Sequence, residues 1–348
     1  MRPRVAICGA QVPFVSGGAE LLYGTLRDEL CRRGFEAEIV TLPFSWRSGD
    51  ALLQSAFAWR LVDLEEVGGK PVDLVIATRF PSYLVRHRRK VVWLIHQLRQ
   101  AYELLGTPYS GFADTPEDRR TVAMVRGMDR RALGEARALF AISGNTASRL
   151  ARFNGLEATP LHPPPPLGDR YRREAHGEAV FTAGRLDPMK RFDLLLRALA
   201  RTEHPVRAVV AGEGPERERL LALAGELGIA ARVDLPGRLG EEELLARYAT
   251  ALAVFYAPFD EDYGYVTVEA FRSARPVVTT ADAGGVLEFV ADGENGFILP
   301  PDDLDGIAAA LDRLWEDRAL ARRLGAAGRE RTAALTWDRV IAALTAEL

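Results

Sequence analysis

Two cysteines in 348 residues, Cys8 and Cys31, are too few for a disulfide framework, and no Cys-x-x-Cys or His-rich spacing offers a zinc site. A reducing compartment follows as the expectation, and with it a cytoplasmic location. No apolar run approaches the roughly 18–20 residues that a membrane span needs. The opening MRPRVAICGA enters a short apolar strand followed by glycines, so no signal peptide is expected. Lysine is scarce as well. Of 45 basic residues only Lys70, Lys90 and Lys190 are lysine, a bias toward arginine that leaves most individual arginines without special meaning. The net charge of −3 gives no basic excess for holding nucleic acid.

What is present is ordinary for a globular chain. Hydrophobic residues make up 48% and charged residues 27%, enough to bury a core in each of two domains. Charge is uneven: residues 1–168 hold 22 Lys+Arg against 17 Asp+Glu, residues 169–348 hold 23 against 31. A basic first half suits an anionic acceptor or a lipid surface, for example through Arg86, Arg88, Arg89 and Lys90. Uneven scatter and a solvated turn are the simpler reading.

Strand-like apolar runs alternate with helix-length amphipathic segments throughout. RVAICGA, EAEIVTL, VDLVIAT, KVVWLIH and ARALFAIS mark the first half; EAVFTAG, VRAVVAG, ARVDLPG, LAVFYAP and RPVVTTA mark the second. Continuous apolar runs of this kind belong to parallel strands covered on both faces. Between them lie helices such as AELLYGTLRDELCRRG, with Leu22, Leu26 and Leu30 on one face. The segment PLHPPPPLGDRY (160–171) holds four consecutive prolines and reads as a stiff connector. The pattern predicts doubly wound α/β architecture with about five strands in each of two sheets. The charged segment 114–135 reads as a helix, either a lid or plain surface.

Ligands of open α/β sheets bind beyond the carboxyl ends of strands, where helix N-termini present free N–H groups. The loop after the first strand, Gly9 to Glu20, carries neither the G-x-G-x-x-G fingerprint nor a P-loop lysine. Gly17 and Gly18 would still let backbone N–H groups approach an anion, although such a pair is often only a turn. The second half offers more. Gly184-Arg185-Leu186-Asp187-Pro188-Met189-Lys190-Arg191 sets two cations, Arg185 and Lys190, after a strand and before a helix, as a diphosphate requires. A solvated basic loop is the alternative, but a lysine retained in an arginine-rich chain argues against an indifferent position. Glu261 and Glu269 flank a strand-to-helix turn at Gly264. Carboxylates accept paired hydrogen bonds from vicinal hydroxyls, so the two suit a ribose and a sugar ring. Glu269 on an apolar helix face is costly unless it is used.

Together these segments resemble the GT-B-fold retaining glycosyltransferases of family 4, the glycogen-synthase-like and mannosyltransferase-like group. The resemblance runs the whole length. It is sharpest at GRLDPMKR (184–191), at Glu261-x7-Glu269 and at GGVLEFVADGENGFILP (284–300), with weaker matches at VSGGAE, WLIHQ, ISGNTA, AGEGPE and LPGRL. It implies two Rossmann-like domains facing across a cleft: an acceptor-side domain over 1–168, a donor domain over 169–330, and a helix over 331–348 crossing back to the first. It further implies that Arg185 and Lys190 hold the donor diphosphate, that Glu269 binds the ribose, and that Glu261 contacts sugar hydroxyls near the reacting carbon. By the same likeness Gly184, Gly264, Tyr265 and Val266 line the sugar and distal phosphate, Gly17 and Gly18 close over the phosphates, and His96 stands beside the donor sugar. Arg238 and Leu239 lie near the base. Tyr263 and Asp262 depart from the commonest pattern of that loop, which leaves donor preference open.

The reaction so implied moves a hexose from a GDP- or UDP-linked donor to a hydroxyl of a glycan, lipid-linked or small-molecule acceptor. Configuration is retained, no cofactor or metal is needed, and no nucleic acid takes part. Peripheral contact with the inner membrane face is compatible with the basic first half. A nucleotide-sugar epimerase on the same fold and a non-enzymatic nucleotide-sugar-binding protein are the competing readings. Tyr102, Tyr109 and Phe112 are candidates for an acceptor groove.

Overall fold

Residues 2–14, 17–45 and 48–348 are described by a computed structural model. Val15 and Ser16 of the VSGGAE match, and Trp46 and Arg47, lie outside the described residues. The chain divides into two units, Met1–Pro166 with Thr336–Leu348, and Leu167–Leu335.

The first unit is built on a parallel sheet of β1 (Arg4–Gln11), β2 (Glu36–Pro43), β3 (Leu74–Ala77), β4 (Lys90–Leu94), β5 (Ala138–Ala141) and β6 (Thr159–Pro160), in the order β2-β1-β3-β4-β5-β6. Every residue of β3 and β4 is buried, as expected for strands covered on both faces. Helices α1 (Gly18–Arg32), α2 (Gly49–Leu61), α3 (Pro116–Gly134) and α4 (Gly144–Asn154) supply the cover. Segment 114–135 is therefore largely helix, capped by Thr115, whose hydroxyl accepts from the Asp118 N–H at 3.1 Å.

The second unit repeats the architecture with β7 (Ala179–Ala183), β8 (Arg207–Ala211), β9 (Val233–Gly237), β10 (Ala253–Phe255), β11 (Val277–Thr280) and β12 (Gly296–Leu299), in the order β9-β8-β7-β10-β11-β12. Its helices are α5 (Phe192–Leu199), α6 (Arg217–Glu226), α7 (Glu241–Thr250), α8 (Tyr265–Arg272), α9 (Leu304–Glu316) and α10 (Arg318–Arg331). Strand order reverses between β7 and β10, so the loops leaving these two strands open onto a topological switch point. Each sheet has six strands rather than about five. The additions, β6 and β12, are short edge strands, and at an edge Pro160 costs no ladder hydrogen bond.

The last helix, α11 (Trp337–Leu344), belongs to the first unit. Trp337 meets Trp93 of β4 edge-on at 6.3 Å between ring centroids, and Asp338 pairs with Arg33 at the end of α1.

Two readings of the first half are overturned here. Lys90 is not part of a basic surface: it is 1% exposed and its ammonium donates to the carbonyls of Tyr83, Val85 and Ala132 at 3.1, 3.2 and 2.8 Å and to Glu135 at 3.3 Å. Burial pulls its pKa down, opposed by the Glu135 carboxylate. Lys90→Ala should cost about 2–4 kcal/mol of stability by stranding these acceptors; an unfolding midpoint in urea equal to wild type would contradict this. Tyr102 lines no groove either, being 3% exposed with its hydroxyl donated to buried Asp129 at 2.8 Å. Burial pushes the Asp129 carboxyl up to about 7 despite that hydrogen bond. Phe112 packs on the core of the same unit. Among the described residues no helix is long and apolar enough to cross a membrane.

Candidate active site

The site in the second unit starts from the loop after β7. Gly184 donates its N–H to Ala211 O at 3.0 Å, and Leu186 exchanges backbone hydrogen bonds with Glu213 and Glu216 at 2.9 and 3.0 Å. The loops after β7 and β8 thus touch backbone to backbone, so closely that a Cβ on Gly212 would fall 1.8 Å from Gly184 O. This contact fixes where the chain turns toward Lys190. The turn itself is a short 3-10 segment, Pro188–Lys190, capped by Asp187 accepting from Met189 N–H at 3.0 Å.

Lys190 points to the loop after β10. Its ammonium donates to Tyr256 Oη at 3.0 Å and to Glu261 Oε2 at 2.5 Å, and lies 5.5 Å from the Tyr256 ring centre. The side chains of Lys190 and Glu261 are 20% and 19% exposed. Burial works to lower the lysine pKa, yet Glu261 and Tyr256 outweigh it and raise it, so the group stays an ammonium. An ammonium has three hydrogens; the third has no partner among the described residues. Arg185, in the same loop, is exposed, and its guanidinium has no hydrogen-bond or ion-pair partner among the described residues.

The loop carrying Glu261 is held from outside by Arg191, a residue the sequence reading passed over. Arg191 takes a left-handed backbone (φ 50°). Its guanidinium donates to the carbonyls of Ala257 and Pro258, each at 2.9 Å, to Thr280 Oγ1 at 2.9 Å, and to both oxygens of Asp282 at 2.7 Å. Burial raises the Asp282 pKa, but Arg191 and Thr280 more than offset it and hold it below the usual carboxylate range. Asp260 and Glu261 donate backbone N–H groups to Asp282 O and Ala283 O at 2.9 and 3.2 Å. The only sequence signal was a second basic residue directly after Lys190, which by itself says little.

Beyond Glu261 the chain turns at Gly264 (φ 86°), where a Cβ would meet Val286 at 2.8 Å, and enters α8 with the amides of Tyr265 and Val266 in its first turn. One turn later Glu269 is 8% exposed and accepts from Tyr248 Oη at 2.6 Å and Tyr171 Oη at 3.1 Å. Burial raises its pKa, with the two phenols acting in the opposite direction. The structure therefore gathers Gly184, Arg185, Lys190, Glu261, Gly264, Tyr265, Val266 and Glu269 around the switch point between β7 and β10. Arg238 (exposed) and Leu239 (half-buried) follow edge strand β9 and share no hydrogen bond with this group among the described residues.

The remaining expected residues are in the first unit. Gly17 caps α1, and its N–H donates to Glu20 at 2.9 Å, while Glu20 in turn pairs with Arg79 at 2.8 Å. One amide of that helix start is thereby engaged within the chain. His96 is half-buried after β4, with Nδ1 2.6 Å from Gln97 O.

Comparison with known proteins places this geometry. Residues 170–331 match the family described as Glycosyl transferases group 1. A D-inositol 3-phosphate glycosyltransferase of Nocardia farcinica is 30% identical over 282 residues, covering 74% of this chain and 60% of its own. The chain spans less than two thirds of the length of the curated relatives it matches. Among solved structures, sucrose-phosphate synthase from Thermosynechococcus elongatus superposes with TM-score 0.76 at 20% identity, covering 97% of this chain and 96% of that one. Anabaena HepE in complex with UDP and glucose gives 0.71 at 19%, covering 99% and 100%. The two parallel-sheet units thus share the fold of GT-B glycosyltransferases, and the segment that matches the glycosyl transferases group 1 family, residues 170–331, carries the Lys190–Glu261 pair.

Proposed function

We propose that the protein is a retaining, metal-independent glycosyltransferase that moves a hexose from a nucleoside diphosphate to a hydroxyl acceptor. The observation that carries the reading is the Lys190 ammonium, held between Glu261 and Tyr256 at the switch point with one N–H uncommitted. Breaking the anomeric carbon–phosphate oxygen bond builds negative charge on the diphosphate while the sugar becomes oxocarbenium-like. A preorganised ammonium and the exposed Arg185 meet that charge, and the amides opening α8 add to the positive potential. The two cations, one held and one exposed, do the work a divalent ion does elsewhere. Glu261 takes hydroxyls of the sugar and Glu269 those of the ribose. The acceptor proton leaves with the departing phosphate oxygen on the same face, so no protein nucleophile is assigned. Gly17, Gly18, His96, Arg238 and Leu239 enter this reading through the family resemblance alone.

UDP in the Anabaena relative supports a UDP-linked donor as the first to test. Calorimetry against UDP, GDP, ADP, CMP and NAD(H), without added metal, should find one nucleoside diphosphate bound and NAD(H) not bound. Turnover with the matching sugar nucleotide should be unchanged by EDTA and should require an acceptor. Binding of NAD(H) alone, or sugar nucleotide changing configuration with no acceptor present, would refute the assignment; loss of turnover in EDTA would refute its metal independence.

A further inference from the structure

Glu269 is an unusual carboxylate even for a binding site. It sits on α8 with 8% of its surface exposed, and no ion pair reaches it among the described residues. Its support is two phenols, one on each oxygen: Tyr248 from α7 at 2.6 Å and Tyr171 at 3.1 Å, from the segment that opens the second unit. Both tyrosines are themselves buried, at 0% and 4%, and they stack edge-on at 6.2 Å, with Phe181 of β7 against Tyr248 at 4.9 Å. Phenols so packed cannot swing away, so the carboxylate they grip has one orientation. A carboxylate offers about four acceptor positions, and two are spent on these hydroxyls.

We propose that Tyr171 and Tyr248 are positioning residues for donor binding: they lock the Glu269 carboxylate so that its remaining acceptor positions face the ribose hydroxyls, and by keeping it ionised they extend nucleotide binding toward acid pH. The inference rests on the reading of Glu269 as the ribose ligand. Among the described residues the groups facing Glu269 are uncharged phenols, Tyr171 and Tyr248 in contact and Tyr265 and Tyr263 further off on α8 and the turn before it. With no cation to hold the charge, the ionised form depends on donated hydrogen bonds. Only that form accepts from two vicinal hydroxyls. Burial already raises the pKa, and the two phenols lower it. Binding is thus complete above the pKa and fades as pH falls through it. Removing one phenol lets burial act less opposed, raises the pKa further, and moves the loss of binding to higher pH.

The test is the dissociation constant of UDP, or of GDP if that is the nucleotide bound, from pH 5.5 to 9 for wild type, Tyr248→Phe, Tyr171→Phe and Glu269→Gln. The ratio of variant to wild type cancels the titration of the nucleotide itself. For Tyr248→Phe the ratio should reach about tenfold weaker binding at the acid end and return toward one at pH 9, the signature of a carboxylate that protonates more readily. Tyr171→Phe, with the longer hydrogen bond, should shift less in the same direction. Glu269→Gln should bind weakly with no such pH dependence. A constant ratio across the range for both tyrosine variants would show mere packing roles and overturn the proposal while leaving the donor site intact. Wild-type binding by Glu269→Gln would overturn it by removing the carboxylate from the site. Failure of the wild type to bind either nucleotide would overturn the proposed function first, and this inference with it.

Discussion

Lys190→Ala should lower turnover roughly 10²–10³-fold, the loss typical of removing one preorganised charge stabiliser, with little change in the folded state. The asymmetry follows from what each group holds. Lys190 contributes one ammonium to Glu261 and Tyr256, whereas the loop bearing Glu261 is anchored by Arg191 and by backbone hydrogen bonds to Asp282 and Ala283. Losing the lysine therefore removes the positive charge at the leaving group without releasing the loop. Lys190→Arg should not rescue, because a planar guanidinium cannot occupy a point flanked by a hydroxyl at 3.0 Å and a carboxylate at 2.5 Å. Arg185→Ala should show a comparable loss of turnover with an unchanged melting temperature, as its guanidinium has no partner to lose among the described residues. Single-turnover rates and thermal melts on the same samples check both; near-normal turnover in Lys190→Ala would end the charge-stabilising role.

Arg191→Ala should lose about 2–4 kcal/mol of stability after allowing for partial exposure of the ion pair, and turnover should fall roughly tenfold. Five acceptors, two of them the oxygens of Asp282, lose their donor together. The carbonyls of Ala257 and Pro258 open the loop that leads to Glu261, so their release loosens the carboxylate that pairs with Lys190. Arg191 also pays for a left-handed backbone, worth about 1 kcal/mol for a residue with a side chain. Arg191→Gly should consequently be the more stable of the two variants by that amount, while sharing the loss of turnover. Urea titrations separate the two; equal midpoints would mean that the backbone at this position carries no strain.

Much of this site could be read from order along the chain, because switch-point chemistry gathers at strand ends and strand ends are visible as the close of apolar runs. Gly184 to Arg191 and Glu261 to Glu269 were found in that way, and their meeting follows from β7 lying beside β10. What escaped was whatever depends on partners distant in sequence. Tyr171 and Tyr248 are 98 and 21 residues from the carboxylate they grip, and neither lies in a motif. Lys90 looked like one more basic residue in a turn, since its three carbonyl acceptors come from a 3-10 turn and from α3. Strands β6 and β12 were missed for a different reason: one is two residues long and ends in proline, the other was absorbed into a longer motif.

The placement of α11 with the first unit has a consequence for the order in which the chain can fold. Residues 167–335 form one uninterrupted stretch, whereas the first unit is assembled from 1–166 and 336–348. During synthesis from the N-terminus, the second unit has all of its residues before Trp337 exists to meet Trp93. The first unit is begun first and closed last. A chain truncated just after residue 335 should therefore hold a complete second unit and a first unit still lacking its final helix.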